Sequence, residues 1–175
     1  MHIGHMAVAK NVLQRGLADE VWLMPCRRNP LKEGDGLLPD EERLRLLRKA
    51  ADYYNARLKE GAIRICSLEY ELPIPSYTVR TMQTLMERYP DHHFRLLVGA
   101  DSYLTFTQWK EWEWLEKNLS PIVYPRPGYE LKELRPGWTL LSGVEENEIS
   151  STEIRKITAN NGDATRFMPW LTKPE

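Results

Sequence analysis

The sequence is short of cysteine, of net charge and of long apolar runs, and each shortage excludes a class of protein. Only two cysteines, Cys26 and Cys66, stand in 175 residues. They fall near candidate strands and read as reduced thiols, too few for a disulfide framework or a zinc site. A formal net charge of −1 gives no global attraction to nucleic acid or to an anionic membrane. Any phosphate binding must therefore be built locally. No apolar run approaches the ~20 residues that span a bilayer. The first residues, Met1-His2-Ile3-Gly4-His5, contain neither a basic n-region nor an apolar h-region. These absences point to a cytoplasmic protein with no nucleic-acid and no membrane partner. No internal repeat, low-complexity tract or convincing linker interrupts the chain, so 1–175 reads as a single domain.

What is present is an ordinary globular composition, 42% hydrophobic and 28% charged, in a chain long enough to bury a core. Apolar spacing predicts a helix from His5 to Arg15, stopped at Gly16. Val21 to Met24 reads as a short strand, and Arg27 to Leu38 as a basic loop with proline and glycine. Asp40 is placed to cap a helix running to about Tyr54, with Glu41 and Glu42 in its first turn, where the helix dipole favours anions. Ile63–Cys66, Phe94–Val98, Ile122–Tyr124 and Thr139–Leu141 read as strands. Thr78–Glu87, one or two aromatic-rich helices within Tyr103–Lys117, and Ser151–Asn160 read as helices. Arg126 to Gly137 reads as a surface loop. Alternating strands and helices predict an α/β protein with a parallel sheet covered on both faces.

Several short segments carry candidate chemistry. His2-Ile3-Gly4-His5 opens a helix, whose first N–H groups and partial positive charge suit phosphate. The glycine permits close backbone approach, and imidazoles can donate to phosphate oxygens. Ser150-Ser151-Thr152-Glu153-Ile154-Arg155 opens the last helix. Ser and Thr there are ordinary caps, but Arg155 lies one turn beyond Ser151 and could share an anion with it. Leu96-Leu97-Val98-Gly99-Ala100-Asp101-Ser102 is a buried strand ending in glycine and an acid, where open parallel sheets bind ligands. Asp101 could hold a ribose hydroxyl there, or cap a helix. Trp109 and Trp112 share a helical face at i, i+3, so core packing is the default, although an indole beside a cleft could stack on a flat ring.

Taken in order, these segments resemble the bacterial nicotinate-nucleotide adenylyltransferase family. The residues carrying the resemblance are His2-Ile3-Gly4-His5, Asn29-Pro30-Leu31-Lys32, Arg43-Leu44, Ser76-Tyr77-Thr78 with Thr81, Gly99-Ala100-Asp101-Ser102 with Trp109, and Ser150 to Arg155. The resemblance implies a Rossmann-like nucleotidyltransferase fold and adenylyl transfer from ATP to nicotinate mononucleotide, with Mg2+ accompanying ATP and no protein metal ligand assigned. It implies that His2 and His5 contact the ATP phosphates, with His5 nearest the reacting α-phosphate. Ser151, Thr152 and Arg155 would hold the β- and γ-phosphates, and Lys32 would close over the triphosphate from a mobile loop. Gly99 and Asp101 would meet the nucleotide near its ribose. Tyr77, Thr78 and Trp109 would shape the pyridine pocket, with Trp109 stacked on the ring.

The chain departs from the family pattern at both ends. A first strand and Gly-rich turn are expected before His2, and a final helix after Met168-Pro169. Their absence reads as truncation, which leaves an inactive nucleotide-binding fragment as an alternative. The His-x-Gly-His segment also leaves a phosphopantetheine or cytidylyl transferase open, and a homo-oligomer stays open too. A tRNA synthetase is disfavoured because no Lys-Met-Ser-Lys-Ser segment is present.

Overall fold

The structure is a computed structural model that describes residues 2–27, 38–143, 154, 156–157, 160 and 162–171. Its contacts group into two compact units, one made of Met1–Pro25, Leu38–Ser67 and Glu145–Glu175, the other of Cys26–Leu37 and Leu68–Val144.

The first unit is a β-α-β arrangement preceded by a helix. Helix α1 spans Ile3–Gln14 and buries Met6, Val8, Ala9, Val12 and Leu13. Its end is set by Gly16, which takes a φ of 62°. The Gly16 N–H donates to the Leu13 carbonyl at 3.0 Å and the Leu17 N–H to the Val12 carbonyl at 3.1 Å. This pair of bonds closes the helix with a left-handed residue that glycine adopts at little cost.

Strand β1 (Glu20–Leu23) pairs in parallel with β2 (Ala62–Ile65), Val21 opposite Ile63. Each strand turns a buried residue inward, Val21 and Ile63. The opposite face is polar: Glu20 accepts from the Trp22 indole at 2.8 Å and pairs with Arg64 at 2.6 Å.

Helix α2 (Asp40–Asn55) is the crossover between these strands and buries Leu47, Ala50 and Ala51. Asp40 was expected to cap it. Instead Pro39 occupies the cap, without a side-chain cap bond, and Asp40 is already helical. Proline's restricted φ, here −49°, suits the entry to a helix. Asp40 then pairs with Arg43 one turn on, at 3.6 Å. At the other end, Asn55 binds both backbone groups of Ile63: its Oδ1 accepts from the Ile63 N–H at 2.8 Å and its Nδ2 donates to the Ile63 carbonyl at 2.9 Å. One amide thus substitutes for a neighbouring strand on that edge of β2.

The second unit carries a three-stranded parallel sheet. Strands β3 (Leu97–Gly99), β4 (Ile122–Tyr124) and β5 (Thr139–Leu140) lie in that order. Helix α3 (Thr78–Arg88) buries Val79, Met82 and Leu85 at three-residue spacing, together with Thr81. Helix α4 (Ala100–Leu104) and helix α5 (Trp112–Leu119) lie between β3 and β4. Trp109 and Trp112 do not share a helical face, contrary to expectation. Trp109 ends a short 3-10 turn in extended backbone and Trp112 starts α5.

Phe106, Leu115, Leu119, Ile122, Val123 and Leu141 are among the deeply buried residues. Trp138 meets Tyr103 and Phe106 edge-on, both at 4.9 Å between centroids, a favoured aromatic geometry. Glu116 receives Arg135 and the Trp138 indole. Those bonds, Arg135's foremost, hold its carboxyl below the ordinary value.

The strands occur where expected, shifted by a residue or more at several ends. Phe94–Val98 contracts to Leu97–Gly99. The Arg126–Gly137 segment is largely exposed, pinned at Tyr103, whose hydroxyl donates to the Glu133 carbonyl and accepts from the Arg135 N–H, both at 2.9 Å. No helix among the described residues is long and apolar enough to cross a membrane.

Asn55→Ala removes both partners of the Ile63 backbone. It is expected to destabilise the protein by ~1–3 kcal/mol, the range for orphaning buried hydrogen-bonding groups, read as a lower midpoint in urea denaturation with an unchanged slope.

Candidate nucleotide-binding site

In the first unit the candidate residues gather at the N-terminus of α1. His2 is the helix cap, and its Nδ1 accepts from the Gly4 N–H at 3.2 Å. Because Nδ1 accepts, the neutral ring carries its proton on Nε2. The Met6 and His5 N–H groups point back at the His2 carbonyl, at 3.4 and 3.1 Å. His2 is buried, 6% exposed, and its ring lies 4.0 Å from that of His5, inclined by 52°. The His-x-Gly-His spacing thus places two imidazoles in contact at the positive end of a twelve-residue helix. No acidic residue occupies the first turn of α1 to neutralise that end.

In the second unit a separate group forms beyond the carboxyl ends of β3 and β4. The parallel register sets Gly99 opposite Tyr124. Gly99 caps α4, with Asp101 in its first turn. Asp101 Oδ2 accepts from Arg126 Nη1 at 2.8 Å. The space above Gly99 is filled: a Cβ there would lie 2.6 Å from Asp101 Oδ1, 2.7 Å from Arg126 Cδ and 3.1 Å from Tyr124 Cζ. Burial pushes the Tyr124 hydroxyl's pKa up, with Arg126 opposing and Asp101 reinforcing the shift. Gly99 is needed here for the room it leaves, since its φ of −80° is open to any residue.

A third cluster surrounds the start of α3, also in the second unit. Tyr77 is the N-cap, without a side-chain cap bond, and Thr78 is the first helical residue. The Tyr77 ring has Lys110 Nζ at 4.8 Å and Arg80 Cζ at 5.7 Å from its centroid. Trp109 is half-buried against Phe106, with ring centroids 5.4 Å apart. Beneath this cluster Thr81 is buried and donates through Oγ1 to Glu69 Oε1 at 3.2 Å. Glu69 Oε2 in turn accepts from the Arg27 N–H at 3.4 Å.

Of the residues singled out in the sequence, the structure therefore brings His2 to His5, and Gly99 to Asp101. It also brings Lys110, the residue after Trp109, to the Tyr77 ring, while Trp109 itself packs on Phe106. Lys32, Ser151, Thr152 and Arg155 lie outside the described residues. Of the last expected helix, Ile154 is buried. Its end is marked by the Asn160 N–H bonding the Lys156 carbonyl at 3.1 Å and the Gly162 N–H bonding that of Ile157 at 2.8 Å.

Sequence reasoning missed Arg126, Lys110 and Glu69. Arg126 follows the β4 strand by two residues, so it stands at a carboxyl end as Asp101 does. Only the strand pairing reveals that they are neighbours.

Comparison with known proteins now decides among the nucleotidyltransferase readings. Residues 1–157 match the family described as Cytidylyltransferase-like. A protein of Bacteroides fragilis named a probable nicotinate-nucleotide adenylyltransferase is 36% identical over 169 residues, spanning 96% of this chain and 81% of its own length. One of Bacteroides thetaiotaomicron with the same name is 37% identical over 169 residues, with the same coverage. The chain belongs to the nicotinate-nucleotide adenylyltransferase family.

Solved structures agree on the fold. The Plasmodium falciparum nicotinic acid mononucleotide adenylyltransferase complexed with NaAD superposes with a TM-score of 0.77 at 20% identity, covering 95% of this chain and 82% of that one. The same enzyme complexed with APC gives 0.75 at 19% identity. The Rossmann-like nucleotidyltransferase fold is thereby established for this adenylyltransferase-family chain.

The crowding above Gly99 has a measurable consequence. Gly99→Ala is expected to destabilise the protein by ~1–3 kcal/mol, the usual cost of overpacking. Adding Arg126→Ala should recover part of that loss, because the two changes share one space. Denaturation of both single variants and the double variant checks this; purely additive losses would contradict it.

Proposed function

We propose that this chain transfers the adenylyl group of ATP to nicotinate mononucleotide, giving nicotinate adenine dinucleotide and pyrophosphate on the route to NAD. The observation that carries this reading is the 36–37% identity, across 96% of the chain, to relatives bearing that family's name. The site chemistry supports it. The mononucleotide 5′-phosphate is already a competent nucleophile, so no general base or covalent Ser or Cys intermediate is required. Attack on the α-phosphorus of ATP forms one phosphorus–oxygen bond and expels pyrophosphate. Such a reaction rests on positioning and on neutralising developing charge.

His2 and His5 are the residues we assign to that task, with His5 nearest the reacting phosphate. The His2 proton on Nε2 and the positive end of α1 both suit an oxyanion. Lys32, Ser151, Thr152 and Arg155 are proposed to hold the triphosphate. Asp101, fixed by Arg126 and given room by Gly99, is proposed to accept from a ribose hydroxyl. Tyr77, Thr78 and Trp109 are proposed to hold the pyridine, Trp109 by stacking.

A magnesium ion fits this donor set in a particular way. Among the described residues no three His, Cys, Asp or Glu side chains converge as a ligand cage. Magnesium carried by the triphosphate and its own waters needs no such cage. Bound so, it would offset phosphate charge. We place the reaction in the cytoplasm, where ATP is plentiful and the two thiols stay reduced.

Pyrophosphate release from ATP, Mg2+ and nicotinate mononucleotide tests the proposal, with nicotinamide mononucleotide in parallel. Faster release with the acid is expected; no release with either would sink the assignment. His5→Ala should lower turnover by at least ~100-fold, the scale of losing a stabiliser of transition-state charge, while the circular dichroism spectrum is kept.

In the same assay Trp109→Ala should raise the KM for the pyridine nucleotide by ~5–150-fold, as loss of ~1–3 kcal/mol of base stacking requires, and leave that for ATP nearly unchanged. An effect on ATP alone would remove Trp109 from the pyridine pocket.

A further inference from the structure

The pyridine pocket proposed above includes Tyr77 and Trp109. The next residue, Lys110, brings its Nζ to 4.8 Å from the centroid of the Tyr77 ring. Arg80 flanks the same ring, its Cζ at 5.7 Å. The two cations differ in what holds them. Arg80 Nη1 donates to the Pro73 carbonyl at 3.0 Å, which ties it to its own segment. Among the described residues, Lys110 makes the Tyr77 ring contact and no ion pair with a carboxylate. The same neighbourhood includes the N-terminus of the eleven-residue α3, with no acidic residue in its first turn and no side-chain cap. A lysine, an arginine and a positive helix end thus gather around one aromatic ring.

The two candidate pyridine nucleotides are nearly identical in shape at the ring's 3-position. One carries a carboxylate and the other a neutral amide. Stacking on Trp109 cannot separate them, because both rings are flat. A cation separates them by charge: it forms an ion pair with the carboxylate, whereas the amide offers it only a neutral carbonyl oxygen beside N–H donors that it must avoid. Resting on the proposed function above, we propose that the Lys110 side chain is a specificity-determining residue, pairing with the pyridine carboxylate and setting the preference for the acid over the amide. Lysine suits this place because a flexible stem can lie along Tyr77 while its ammonium swings to a substrate.

The test uses the full chain and compares Lys110→Met with Lys110→Arg. Lys110→Met keeps an apolar stem against Tyr77 and removes the charge. It is expected to raise the KM for nicotinate mononucleotide about five-fold, in keeping with a partly solvated ion pair. The KM for nicotinamide mononucleotide, the KM for ATP and kcat should each move less than about two-fold. Lys110→Arg should restore most of the acid preference. Added salt should erode the acid-to-amide preference of the unaltered protein and have little effect on that of Lys110→Met.

A rise in both pyridine KM values together would assign Lys110 a packing role and overturn the proposal. So would an unchanged acid KM, or an arginine variant no better than methionine. Trp109→Ala separates the two levels of inference. If it raises both pyridine KM values while Lys110→Met changes neither, the pocket stands and the role of Lys110 falls. If Trp109→Ala leaves both unchanged, the pocket reading itself has failed.

Discussion

The parallel pairing of β3 with β4 is the constraint on which the second unit's chemistry depends. It sets Gly99 opposite Tyr124, and so brings Asp101, two residues past one strand end, to Arg126, two residues past the other, at 2.8 Å. The pair is partly exposed, so its worth lies less in stability than in fixing a carboxylate. The absence of a side chain at Gly99 makes the arrangement sterically feasible. Parallel strands place all their carboxyl ends on one edge, and the loops leaving that edge need not serve the sheet's hydrogen bonding. Functional side chains can therefore collect there without orphaning backbone groups.

The first unit solves a different problem, presenting the N-terminus of a helix while keeping the helix well terminated. Gly16 closes α1 at its far end by a left-handed turn. At the near end His2 binds the Gly4 N–H, and no acid in the first turn offsets the helix dipole. A serine or aspartate cap would satisfy the helix equally well. Aspartate, however, would add a charge that opposes phosphate. Histidine caps through one ring nitrogen without adding a negative charge, which gives the His-x-Gly-His spacing a physical basis.

Charge placement around Tyr77 follows the same economy. The overall charge of −1 leaves the molecule without a long-range field, so recognition of anionic substrates rests on short-range groups. The start of α1 and the Lys110–Tyr77–Arg80 cluster are the groups proposed for it. They act over a few ångströms, well inside the screening distance at physiological salt.

Much of this was legible in the sequence. The alternation of apolar strands and amphipathic helices predicted parallel β-α-β folding, and the motif residues marked the helix start at His2 and the strand end at Gly99. Those signals are local: they depend on spacing within one segment, which backbone periodicity dictates. Where the sequence misled, distant or competing contacts decided. Pro39 took the cap intended for Asp40, a 3-10 turn separated Trp109 from Trp112, and β3 shortened to the three residues that β4 could pair. The neighbours of the site residues were not legible at all. Arg126 meets Asp101 across 25 positions, Lys110 reaches Tyr77 from the turn before α5, and Glu69 joins Thr81 to Arg27. Sequence alone determined which chemical groups were available and on which elements they sat. Tertiary structure decided which of them meet, because strand register and helix packing are settled by burial over the whole unit, and no single segment encodes them.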